Sequence, residues 1–174
     1  TPFESEVWFL STSPELYMKR MLAAGYDRLF QISHCFRRGE RGRWHNPEFT
    51  MLEWYRSGAD YRRMIQDVEQ LVVTLARKFG INTIVKYRGQ DIDLSLPWPT
   101  ITVRDAFLHA AGWDPIAEPD PLQFDTDLVT KVLPSLATSR PTVLMDYPAA
   151  MASLARLNPE DARVAERAEV FLGE

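Results

Sequence analysis

The stretch FRRGERGRWHNPEFTMLEWY, from Phe36 to Tyr55, gathers the side chains in this chain best suited to chemistry. Two apolar, strand-like runs flank a loop that carries Arg37, Arg38, Glu40, Arg41, Arg43 and His45. Asn46, Phe49, Glu53 and Tyr55 follow at spacings that strand alternation turns towards one pocket. Guanidinium groups suit phosphates, an aromatic ring suits a base, and a carboxylate suits an amino group. These residue types point to ATP-dependent activation of an amine-bearing carboxylic acid.

Each residue also has a plainer reading. Arg37 ends an apolar strand, where its guanidinium can grip a phosphate in bidentate fashion or form a surface ion pair with Glu40 or Glu48. Four arginines around one glycine-containing loop favour anion binding. Phe49 is either core or a platform for a base. Glu53, between Leu52 and Trp54, must face away from both, and a carboxylate on a strand needs a partner if buried. An internal arginine or a substrate ammonium could serve, and Tyr55 shares that face. Glu15 complements a helix dipole by position alone. His34, Cys35, His45 and His109 have no metal-ligand spacing, and His34 reads as a satisfied core residue. No Walker-type, Gly-x-Gly-x-x-Gly or Gly-x-Ser-x-Gly sequence occurs, so any ATP is held without a P-loop.

The elements that must position these groups are legible. Val7–Leu10 reads as a short strand. Ser13-Pro14-Glu15 opens a helix with Leu16, Tyr17, Met18, Met21 and Leu22 on its apolar face, and Gly25 ends it. Strands over Leu29–Phe36 and Phe49–Tyr55 form an antiparallel hairpin with a long tip, and loops that long tend to be functional. Asp60–Phe79 is the longest helical pattern, with Met64, Val68, Leu71, Val72 and Leu75 in its stripe. A small hairpin turns at Arg88-Gly89, Leu96–Thr100 is a Pro-rich linker, and Thr102 caps a helix to Ala111. Asp114–Pro121 should be irregular, Thr126–Leu136 helical, and Thr142–Tyr147 and Glu166–Leu172 strands. The fold class is α+β.

At 174 residues, with 45% apolar and 25% charged residues, the chain can bury a core. A net charge of -4 excludes a surface that coats nucleic acid generally. The single Cys35 allows no internal disulfide. No apolar run approaches the roughly 20 residues that span a bilayer, and TPFESEVWFL lacks a secretory leader's basic start and apolar centre. No membrane partner is expected, and the expected compartment is the cytoplasm.

Phe36-Arg37 followed by HNPEFTMLEWY resembles motif 2 of the class II aminoacyl-tRNA synthetases in its lysyl form. TSPELYMKRML, from Thr12 to Leu22, resembles the helix before that motif. LEWYR and the tail YPAAMASLARLNPEDARVAERAEVF are more similar to the lysyl-tRNA synthetase paralogues that modify elongation factor P. The resemblance is strong over about the first 60 residues, clear from Tyr147 to Phe171 and weak between. It implies a class II synthetase-like antiparallel sheet flanked by helices. It also implies three segments: the motif 2 region over 1–60, a helical and irregular insert-like middle over 61–146, and the start of the C-terminal catalytic segment over 147–174.

The chemistry implied by the resemblance is activation of a lysine-type amino acid, lysine or (R)-β-lysine, to an adenylate, and its transfer to a lysine of elongation factor P. Arg37 would hold the α-phosphate as the catalytic residue. Arg38, Gly39, Glu40, His45, Asn46 and Phe49 would complete the ATP side, with Phe49 stacked on adenine. Ser13, Pro14, Glu15, Glu53 and Tyr55 would line the amino-acid pocket. The cofactors would be ATP and Mg2+, with the metal carboxylates in a segment beyond Glu174, and no metal ligand falls in this chain. The family pattern has an acid two residues after the motif arginine; here Gly39 stands there and the acid is Glu40. Closure in the strand-like AEVFLGE and the lack of motif 1 and motif 3 are expected of a truncated chain. Such a chain would be inactive alone, whereas the intact protein could be a homodimer. The alternatives are a lysyl-tRNA synthetase acting on tRNA, or a synthetase-like binding module without catalysis.

Overall fold

A computed structural model describes residues 9–43, 45–136 and 139–172. The chain divides into two compact units, one running to Ala59 and one starting at Asp60.

The first unit is a helix and a hairpin. Helix α1 spans Glu15–Ala23. Pro14 already has helical dihedrals (φ -75°, ψ -4°), and the Ser13 hydroxyl accepts from the Glu15 amide at 3.1 Å. Serine therefore satisfies a free amide and proline stands where no N–H is needed, as the sequence predicts. Of the expected apolar face only Met18 is buried, whereas Leu16 and Tyr17 are exposed. Strands β1 (Arg28–Phe36) and β2 (Glu48–Arg56) pair antiparallel from Arg28↔Arg56 to Phe36↔Glu48. Gly39, at φ +85°, takes the left-handed turn in the connecting loop that a side chain would resist. The strand expected over Val7–Leu10 is not seen: Val7 and Trp8 lie outside the described residues, and Phe9 and Leu10 join no strand.

The second unit opens with α2 (Tyr61–Lys78), whose cap Asp60 accepts from the Arg63 amide at 2.9 Å. Gly80, at φ +74°, follows it. The buried side chains of α2 are Glu69, Val73 and Ala76, so the stripe is rotated from the predicted one. Val73 and Ala76 pack with Ile92 and Leu94, bringing the hairpin of β3 (Ile84–Tyr87) and β4 (Gln90–Asp93) against the helix. Buried Glu69 accepts from the Trp98 amide at 2.8 Å, which gives its carboxylate a partner inside the unit.

A three-stranded sheet in the order β5-β6-β7 completes this unit. Strand β5 (Thr100–Thr102) runs parallel to β6 (Thr142–Pro148), and β7 (Val164–Phe171) runs antiparallel to it. Leu96–Thr100 is therefore not wholly a linker, because Thr100 begins β5. Three residues are too few to show a strand period, which hid it. Helix α3 (Val103–Ala110), capped by Thr102 as expected, buries Phe107 against Phe124 and the edge of Trp113, with ring centroids 4.7 and 5.4 Å away. Such ring pairs add about 1 kcal/mol each beyond burial. Helix α4 (Pro121–Asp127) starts five residues before the expected Thr126 because Asp120 caps it, accepting from the Leu122 and Gln123 amides. A wider π turn over Leu128–Val132 leads into α5 (Leu133–Leu136). The result is mixed helix and largely antiparallel sheet, the predicted α+β class.

Candidate active site

Alternation and register decide what the hairpin presents. Leu29↔Tyr55, Gln31↔Glu53, Ser33↔Met51 and Cys35↔Phe49 place Phe49, Met51, Glu53 and Tyr55 on one face. Arg37 extends that face, because its amide bonds the Pro47 carbonyl at 2.9 Å. Leu52 and Trp54 lie on the other face, as the sequence requires.

At one end of this face the Arg37 guanidinium lies over the Phe49 ring, 5.1 Å from its centroid. Its Nε donates to the Thr12 carbonyl at 3.4 Å and its Nη1 lies 3.8 Å from Glu40 Oε1. The ion pair with Glu40 considered from the sequence therefore forms, but it is long, half-exposed and weakly holding. Glu48 pairs instead with His34 Nδ1 at 3.0 Å on the exposed opposite face. His34 is thus not the core residue expected; strand parity puts it on the side away from Cys35, which is fully buried. Arg38, His45 and Asn46 are exposed in or beside the loop, Gly39 makes its turn, and Gly42 and His45 exchange backbone hydrogen bonds of 3.0 and 3.4 Å. Arg38, Arg41 and Arg43 are exposed in this loop.

About four residues along β2, roughly 13 Å by strand rise, lies the second half of the site. Ser13 Oγ donates to Glu53 Oε2 at 2.9 Å and Tyr55 Oη donates to Glu53 Oε1 at 2.5 Å. Burial, then the Glu53 hydrogen bond, then the charges of Glu53 and Glu15, push the Tyr55 phenol well above its usual range, so it remains a donor. Of the two cations considered for Glu53, an internal arginine does not meet it among the described residues, where two neutral hydroxyls hold it. Pro14 is buried beside Ser13, and Glu15 pairs with Lys19 Nζ at 2.6 Å. The structure thus brings Ser13, Glu53 and Tyr55 into direct contact, with Glu15 within electrostatic reach of Tyr55. It brings Arg37, Phe49 and Glu40 together at the other end. The Thr12 carbonyl and Lys19 were not foreseen as participants. A backbone acceptor leaves no sequence signal, while the Glu15-Lys19 spacing of four on a helix was a readable one.

This face can hold an anion against a ring at one end and a cation against a carboxylate at the other. A family model described as tRNA synthetases class II (D, K and N) matches residues 2–174. The elongation factor P–(R)-β-lysine ligase of Vibrio parahaemolyticus is 40% identical over 172 residues, covering 94% of this chain and 52% of the relative. Ligases of the same name from Mannheimia succiniciproducens and Photorhabdus laumondii are 40% and 36% identical over 173 residues, covering 96% and 94% of this chain. The chain spans about half the length of these curated relatives. On its motif residues, its mixed fold and this match along nearly its whole length, the chain belongs to the class II tRNA synthetases of the D, K and N type.

Proposed function

We propose that the intact protein activates a lysine-type amino acid, (R)-β-lysine, with ATP and transfers it to a lysine side chain of elongation factor P. The observation that carries this reading is Glu53: a carboxylate on the face shared with Arg37 and Phe49, fixed by two hydroxyl donors and without a cation among the described residues. The names of the relatives favour elongation factor P over tRNA as acceptor.

In the first step a carboxylate oxygen of the amino acid attacks the α-phosphorus of ATP, and pyrophosphate leaves. Arg37 meets the charge that develops on the α-phosphate, leaving the Phe49 face to the adenine. Glu53, Ser13 and Tyr55 orient the substrate ammonium, so positioning supplies much of the rate. In the second step the neutral amine of the acceptor lysine attacks the acyl carbon. A C–N bond forms, AMP departs, and the amine proton passes to solvent. Magnesium would accompany ATP. Among the described residues no group of three or more His, Cys, Asp or Glu could hold a metal ion. A cytoplasmic setting fits Cys35, a buried free thiol. No described helix is long and apolar enough to cross a membrane. On this reading the 174-residue chain alone is inactive, a proposal in keeping with its covering half the relatives' length.

The test uses the full-length protein. ATP–pyrophosphate exchange should depend on (R)-β-lysine, and elongation factor P should gain the acyl group by mass spectrometry. Arg37→Ala should lower exchange by about 100-fold or more with the circular dichroism spectrum kept. Acylation of tRNA in place of elongation factor P, or unchanged exchange by the variant, overturns the reading.

A further inference from the structure

The chain's negative charge is not spread evenly. Over residues 103–136, Asp105, Asp114, Glu118, Asp120, Asp125 and Asp127 face Arg104 and Lys131, giving 2 - 6 = -4, which equals the net charge of the whole chain. Arg104 pairs with Asp114 at 2.8 Å and Lys131 with Asp127 at 2.7 Å, so both cations are already engaged.

Within this field lies an open groove of about 360 Å³ lined by Trp113, Glu118, Pro119, Asp120 and Gln123. Its floor is rigid. The Trp113 indole donates to buried Asp127 at 2.9 Å and meets the Phe107 ring edge-on. The hydrogen bonds from Lys131 and then Trp113 hold the Asp127 carboxyl below the usual range, which keeps it charged and the indole anchored. A separate cavity of about 10 Å³, lined in part by Pro115 and Pro121, shares Pro119 and Asp120 with the groove. A hydrogen-bonded indole beside Pro119 is an apolar slot for an extended, proline-bearing backbone. Glu118 and Asp120 stand exposed at its rim. Asp120 spends one carboxylate oxygen on capping α4, and Glu118 has no ion pair among the described residues.

We propose that this groove docks an extended segment of a partner protein that carries lysine or arginine next to proline. The indole and Pro119 take the apolar backbone, the two rim carboxylates take the cation, and the surrounding field draws the segment in. The groove belongs to the second unit and its reading does not depend on the pocket on the hairpin.

The test is an NMR titration of the full chain with the blocked peptide PKPPKP, set against PAPPAP and GKGGKG. PKPPKP should shift amides from Gly112 to Gln123 saturably, and both controls should bind more weakly. Glu118→Gln with Asp120→Asn, which retains a capping side chain, should weaken PKPPKP by at least about five-fold. Asp91→Asn with Glu160→Gln, an equal loss of exposed charge elsewhere, should change it by less than about two-fold. Equal weakening by both pairs, equal binding of either control peptide, shifts confined to other residues, or no saturation overturns the proposal. If the rim pair disturbs folding, Glu118→Lys alone takes its place, because Glu118 caps nothing. It too should weaken PKPPKP by at least about five-fold, and unchanged binding would overturn the proposal.

Discussion

Glu53 and Tyr61 show what single side chains do here. Glu53 takes two hydroxyl hydrogen bonds and keeps further lone-pair sites for a ligand. Glu53→Gln preserves shape but removes the charge. In the full-length protein it should raise KM for the amino acid by roughly 10- to 100-fold, the worth of a charged hydrogen bond, with KM for ATP little changed. Exchange kinetics with each substrate varied in turn measures this, and an equal rise in both would count against the pocket. Tyr61 Oη donates to Asp146 at 2.6 Å, and burial, then that bond, push its phenol up to about 12. A raised acid pKa means the stabilisation is complete below the unfolded value near 10 and is lost as pH rises through 12. Denaturant midpoints between pH 9 and 12 should fall less steeply in Tyr61→Phe than in wild type. The residue types of the site could be read without coordinates, yet the Ser13–Glu53 bond joins positions 40 apart and no local pattern encodes it.

Among the elements, the hairpin and α2 carry the clearest local logic. The β1–β2 pairing follows from two apolar runs around a polar loop, and its parity then sorts every side chain to a face. That parity is why Glu53 could be placed correctly and why His34 was misplaced: alternation gives relative faces, but not which face is covered. Helix α2 begins where Asp60 can cap it. Asp60→Ala should cost about 1 kcal/mol in urea unfolding and Asp60→Asn much less, since both Asp and Asn accept from the Arg63 amide. A loss as large for Asn as for Ala would mean that the charge, not the cap, matters. Short elements fared worst in the sequence. Strand β5 has three residues and gains its identity only from its parallel neighbour β6.

For the whole molecule, the contrast between the two units sets the expected dynamics. Among the described residues of the first unit, the buried ones are Pro14, Met18 and Cys35. In the second, Pro141–Met145 is buried without interruption, and Leu144 packs with Val103, Phe107 and Phe124. Native-state hydrogen exchange should therefore show the amides of β6 as the slowest and those of β1 and β2 as markedly faster. Hairpin amides outlasting those of β6 would show that the buried sheet is not the stability centre. Composition, the motif 2 residues and the period of each long segment sufficed to determine the α+β class, the hairpin and the residue types of the pocket, because those depend on contacts near in sequence. Only the tertiary structure decided that hydroxyls rather than an arginine hold Glu53, that Arg37 rests on Phe49, and that Trp113 floors an acidic groove. Those outcomes depend on burial and long-range partners, which a linear pattern of side chains does not contain.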